Sequence, residues 1–201
     1  MESDSMQAKQ NSPVILASAS PRRRELMLAA GYEFTVVTSG IDESDFSADG
    51  IEPYRFAEQL ALAKANDVAP KYPDKIVIGA DTIVDYAGRI IGKPEDDIEA
   101  RQIVENLFSS SHKVITGLAI VRLCDNTELV MHDSTTVYPK RLTPEQISRH
   151  IETGLWKDKA GAYAIQENGD EFVEKIDGSM TNVMGLPMEL LQKLLKQIHV
   201  L

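Results

Sequence analysis

The chain has 201 residues, of which 43% are hydrophobic and 26% charged, with a formal net charge of −10. These are the proportions of an ordinary soluble globular protein that can bury a good core, with no apolar run of membrane-spanning length. The acidic balance argues against general nucleic-acid binding, although it leaves room for a locally basic pocket that takes one small polyanion. Cys124 is the only cysteine and cannot close an internal disulfide, so nothing requires an oxidising compartment. Met1 to Ser12 is polar and lacks the apolar centre of a signal peptide. A cytoplasmic location is expected, with residues 1–13 as a flexible tail and residues 14–201 as the folded part.

In chain order, Val14 to Ala17 predicts a short strand, and Ser20-Pro21 predicts a helix start, with serine at the cap and proline at the first helical position. Arg22, Arg23 and Arg24 then fall in the first turn, where the helix dipole is unfavourable to cations. Such a start makes sense if an anion, most simply a phosphate chain, binds there; the alternative is a solvated charged helix end. Gly31 ends this helix and Phe34 to Thr38 predicts a second strand. Ser39 to Pro53 reads as a loop rich in Asp and Glu, which either faces water or carries a metal ligand. Pro53 to Ala69 follows helical spacing and carries Lys64.

Lys75 to Val84 is continuously apolar, as in a strand covered on both faces, yet Asp81 interrupts it. An acid there needs protein donors, a metal ion or a substrate, or else it caps a neighbouring turn. Gly79 and Ala80 before it allow a close approach to the backbone. Ala87-Gly88 turns the chain into a return strand at Arg89 to Ile91, which brings Gly92-Lys93-Pro94 near Asp81. That tripeptide is not a Walker A loop, and no G-x-G-x-x-G occurs in the chain.

Asp96 to Phe108 predicts an amphipathic helix, and His112 to Leu123 and Glu128 to Tyr138 predict strands joined at Asp125-Asn126. Thr143-Pro144-Glu145-Gln146 has the form of a capping box, opening a helix that stops near Gly154. His112, His132, His150 and His199 lack metal-ligand spacing and are assigned structural or surface roles. From Ala160 to Ala164, small residues would let a ligand lie against the backbone, with Lys159 and Gln166 placed to hold a phosphate and a base edge. Asn168-Gly169 predicts a hairpin turn before Phe172 to Ile176, and Pro187 to Ile198 a final helix. The expected fold class is α/β, a mixed central sheet flanked by helices, with two lobes around a cleft.

Six segments then carry a resemblance. Leu16-Ala17-Ser18-Ala19-Ser20-Pro21-Arg22-Arg23-Arg24-Glu25-Leu26, Gly79-Ala80-Asp81-Thr82, Gly92-Lys93-Pro94, Thr116-Gly117-Leu118-Ala119, Lys159-Ala160-Gly161-Ala162-Tyr163-Ala164-Ile165-Gln166 and Asn182-Val183-Met184-Gly185-Leu186-Pro187 are together similar to the Maf family of nucleoside triphosphate pyrophosphatases. The resemblance implies a fold like that of the inosine triphosphate pyrophosphatases, a homodimer, and a divalent cation, Mg²⁺ or Mn²⁺. The implied reaction cleaves a nucleoside triphosphate between the α- and β-phosphates. Within it Asp81 matches the proton acceptor and Glu43 a carboxylate near the metal, which Asp81 would share. Lys64 and Lys93 match catalytic cations, and Ser18, Arg23 and Lys159 match positions around the triphosphate. Arg22, Thr82 and Gln166 match the three positions that distinguish dTTP/UTP pyrophosphatases from relatives that prefer 7-methyl-GTP. Gln166 suits uracil or thymine because its amide can both donate and accept. Leu155-Trp156 departs from the Glu-Trp of many relatives. The other reading that the resemblance permits is a nucleotide-binding regulator of cell division in which hydrolysis is secondary.

Overall fold

The continuous apolar runs become strands. A computed structural model of the protein describes residues 14–157, 159–163, 165 and 172–200. The strands are β1 (Val14–Leu16), β2 (Phe34–Val36), β3 (Ile76–Tyr86), β4 (Arg89–Ile91), β5 (His112–Arg122), β6 (Thr127–Pro139) and β7 (Val173–Asp177). They form one mixed sheet in the order β2-β1-β3-β5-β6-β7, with β4 paired to β3. The helices among the described residues are α1 (Pro21–Ala29), α2 (Pro53–Val68), α3 (Asp97–Leu107), α4 (Pro144–Thr153), α5 (Met180–Val183) and α6 (Met188–Gln197).

Local chemistry sets the boundaries. The Asp96 side chain caps α3 by accepting from the Ile98 and Glu99 N–H groups, and Thr143 and Gln146 form the full capping box at α4. Gly154 ends α4 in the left-handed conformation, and Asn126 takes the same conformation in the turn between β5 and β6. Ser20 occupies the cap position of α1, but its side chain makes no capping bond; its own N–H donates to Ser18 Oγ at 3.2 Å. The second strand stops at Val36, short of Thr38, and the acidic loop holds one turn of 3-10 helix at Glu43–Asp45. The tail and the Asn168-Gly169 turn lie outside the described residues.

The strands β3, β5 and β6 run the length of the molecule and carry two cores on one face. At one end Ile76, Ile78, Leu118 and Ile120 pack against Met27 of α1 and Leu191, Leu194 and Leu195 of α6. At the other end Val84, Val114 and Val137 pack against Val104 and Leu107 of α3 and Ile147 and Ile151 of α4. The opposite face is covered by α2, whose Ala61 and Ala65 pack on Val77 and Ala119, and whose Phe56 and Leu60 pack on Ile83 and Ile115. The two lobes are these two cores, joined by shared strands.

The helix α2 can lie this close because of two glycines. A Cβ at Gly79 would stand 2.1 Å from Ala61 O, and one at Gly117 would stand 2.2 Å from Ala57 O. The close approach that the sequence allowed before Asp81 is therefore made by a helix backbone rather than by a ligand.

Candidate active site

The strand pairing leaves an opening beside Asp81. On one edge of β3, β1 pairs in parallel only as far as Leu16 opposite Ile78, and β4 returns along that edge only from Val84. The other edge is paired with β5 from Val77 to Asp85. Gly79 to Ile83 thus face a gap in the sheet, and a cleft of about 1050 Å³ lies there, lined by residues of both lobes. Successive strand side chains point to opposite faces, so Asp81 looks toward α2 and Thr82 toward α1.

On the α2 side, Lys64 is 8% exposed and Asp81 is 6% exposed. Lys64 Nζ donates to Asp81 Oδ1 at 2.5 Å and to Glu43 Oε1 at 2.7 Å, and Lys93 Nζ reaches Glu43 Oε2 at 3.4 Å. Burial pushes the Glu43 carboxyl up, but its contacts with Lys64 and then Lys93 outweigh that and hold its pKa below the ordinary value. Asp81 does not cap a turn; it meets a cation, as a buried carboxylate requires. Two carboxylates converge on one positive centre, a donor set that also suits a hard divalent cation.

On the α1 side, the three arginines separate. Arg22 is half-buried and lines the cleft, Arg24 is exposed and does not, and Arg23 turns inward to 9% exposure. Of the three arginines in the first turn, Arg22 and Arg23 reach the cleft. Arg23 donates through Nε to Gly185 O at 2.7 Å, through Nη1 to Ser18 Oγ at 3.1 Å and through Nη2 to Thr82 Oγ1 at 3.1 Å. All three acceptors are neutral. Burial therefore lowers the Arg23 pKa, with the charge of Asp81 opposing, Arg22 adding to the fall and Glu43 opposing. A desolvated guanidinium beside an open cleft is a strong anion receptor.

The third wall is the segment after α4. Lys159 and Ala160 line the cleft, and Lys159 Nζ donates to Leu155 O. Gly161 does not open the backbone to a ligand: its N–H donates to Gly92 O at 3.2 Å, and a Cβ there would press on Leu107 and Val84 at 3.0 Å. Two histidines hold the segment from behind. His150 Nε2 donates to Ala162 O at 2.8 Å, and His112 Nε2 lies 2.7 Å from the hydroxyl of Tyr163, a cleft residue. Their assignment to structure is consistent with these contacts. His132 instead meets Glu58 at 2.7 Å, on α2. Gln166 lies outside the described residues.

The structure thus brings Ser18, Arg22, Arg23, Glu43, Lys64, Asp81, Thr82, Lys93 and Lys159 to one cleft. Sequence reasoning assigned no role to Thr116 or Asn182, which sit behind Thr82. Their signal was polarity at positions that strand and helix packing should bury: both are 0% exposed.

A sequence model of the Maf-like protein family matches residues 13–198. Among curated relatives, the chain is 41% identical to a dTTP/UTP pyrophosphatase of Elusimicrobium minutum, covering 92% of this chain and 97% of that one. It is 48% identical to a dTTP/UTP pyrophosphatase of Alkaliphilus oremlandii, covering 87% and 90%. Among solved structures, a HAM1 protein from Coxiella burnetii shares the fold with a TM-score of 0.50 at 14% identity, covering 93% of this chain and 100% of that one. With a family match over nearly its whole length and relatives at these identities, the chain belongs to the Maf family.

Proposed function

We propose that this chain hydrolyses dTTP and UTP to the nucleoside monophosphate and pyrophosphate. The observation that carries the reading is the row Glu43–Lys64–Asp81 set across the cleft from buried Arg23. This supports the reading, because a carboxylate there can take a proton and the cations beside it can bind a triphosphate. Relatives that match nearly the whole chain are named dTTP/UTP pyrophosphatases, which supplies the substrate class.

In this reading Asp81 accepts a proton from a water as its oxygen bonds to the α-phosphorus. The bond from that phosphorus to the oxygen bridging to the β-phosphate breaks, and pyrophosphate leaves with the electron pair. Lys64, Lys93, Lys159 and Arg23 offset the charge that gathers on the departing group, and Ser18 and the α1 N-terminus hold its oxygens. Glu43 and Asp81 are the residues that would hold Mg²⁺ or Mn²⁺, which when bound supplies further charge neutralisation on the phosphates. Arg22, Thr82 and Gln166 form the base-reading group.

The test is pyrophosphate release by purified protein with Mg²⁺ or Mn²⁺ across dTTP, UTP, CTP, GTP, ATP and 7-methyl-GTP, with a chelator arm in parallel. Release is expected to be strongest from dTTP and UTP and to vanish with chelator. Preference for 7-methyl-GTP would overturn the base assignment, and tight binding without any release would favour the regulator.

A further inference from the structure

The two cores that share the α1-side face of the sheet are divided by a polar seam, and its hydrogen bonds have a direction that can be worked out from the atoms. Arg23 Nη2 donates to Thr82 Oγ1 at 3.1 Å, Thr82 Oγ1 lies 3.0 Å from Thr116 Oγ1, and Thr116 Oγ1 donates to Asn182 O at 3.0 Å. A carbonyl oxygen has no proton to give. The single hydroxyl proton of Thr116 is therefore committed to Asn182 O, and the Thr82–Thr116 contact is filled by the proton of Thr82. The next acceptor within reach of that proton, Gly185 O at 3.4 Å, is also a protein atom and already receives Arg23 Nε at 2.7 Å.

The anchor at the end of the row is fixed in turn. Asn182 Nδ2 donates to Val114 O at 2.9 Å and to Thr135 Oγ1 at 3.0 Å. Thr116 and Asn182 are wholly buried, whereas Thr82 is half-buried and lines the cleft. What Thr82 shows to a ligand is a lone pair.

We propose that Thr116 is a positioning residue: by taking the hydroxyl proton of Thr82 it leaves Thr82 able only to accept a hydrogen bond, which selects nucleobases that carry an imide N–H. The inference rests on the pyrimidine nucleotide reading above. Uracil and thymine present N3–H to such an acceptor. Cytosine presents a lone pair at N3, so two acceptors face each other across the contact and neither has a proton.

The experiment compares kcat/KM for UTP and CTP in the natural protein, in Thr116→Val and in Thr116→Ser. Valine keeps the shape but cannot accept, which leaves the Thr82 proton only the long contact to Gly185 O at 3.4 Å, one that cytosine N3 can outcompete. The UTP-to-CTP ratio is expected to fall by about tenfold in T116V, the scale of one neutral hydrogen bond, and to be kept in T116S. A loss in T116V that is equal for both nucleotides would reduce Thr116 to a structural residue and overturn the proposal. Natural protein that uses CTP as readily as UTP would overturn it without any variant. Absence of pyrophosphate release from either nucleotide would instead sink the activity reading, and this inference with it.

Discussion

A carboxylate in the middle of a buried strand has to be explained by its neighbours, and for Asp81 the neighbour is Lys64 Nζ at 2.5 Å. The same ammonium holds Glu43, so one lysine fixes the separation of two acids across the cleft. Replacing Asp81 with Asn keeps the shape and removes the proton acceptor. Turnover of UTP is expected to fall by about 10²- to 10⁴-fold while nucleotide affinity changes by only a few-fold; titration calorimetry beside a pyrophosphate assay separates the two. Unchanged turnover would remove Asp81 from the mechanism. At this scale the sequence announced the acids and cations by residue type and motif. It did not announce that Arg23 points inward, because that follows from Gly185, 162 positions later, whose carbonyl takes the guanidinium N–H.

At the scale of elements, the site depends on how closely α2 lies on the sheet. Lys64 reaches Asp81 because Gly79 and Gly117 leave no side chain between the helix backbone and strands β3 and β5. In Gly79→Ala the new Cβ would meet Ala61 O, a backbone atom that cannot swing away. The variant is expected to lose about 1–3 kcal/mol of stability in urea unfolding and to lose turnover beyond that, since α2 must lift and carry Lys64 off Asp81. Turnover at the natural level in folded G79A would contradict this link. The element boundaries themselves were largely legible, because proline, capping residues and apolar runs act locally. Val36 ending β2 early was not, since β1, its partner along Val14–Leu16, is itself only three residues long. Nor was the partner of Gly79, since a glycine in a strand reports that something comes close without saying what.

For the whole molecule, the wall that carries Lys159 and Tyr163 leans on buried His112, which ties its stability to pH. Burial pulls the His112 pKa down to about 4 from 6.5, against smaller opposing contributions from backbone groups of Leu107 and Ser110. Between those values the unfolded chain takes up a proton that the fold refuses, so stability is full above about pH 6.5 and falls as pH drops toward 4. The loss approaches about 3 kcal/mol, and His112→Asn should flatten the slope even though it lowers the plateau. Urea midpoints at both ends of that range read the difference; equal slopes in both proteins would free His112 of the role. The mixed sheet and the two-lobed plan could be read from alternating strands and helices. The polar seam through Thr82, Thr116 and Asn182 could not, because it joins side chains far apart in sequence that no local pattern relates.

In the proposed reaction water attacks the α-phosphorus under Asp81. Turnover of UTP in water enriched with heavy oxygen tests this most directly, with both products weighed by mass spectrometry. The label is expected in UMP, with none in pyrophosphate. Label in pyrophosphate, or release of inorganic phosphate in place of pyrophosphate, would contradict it.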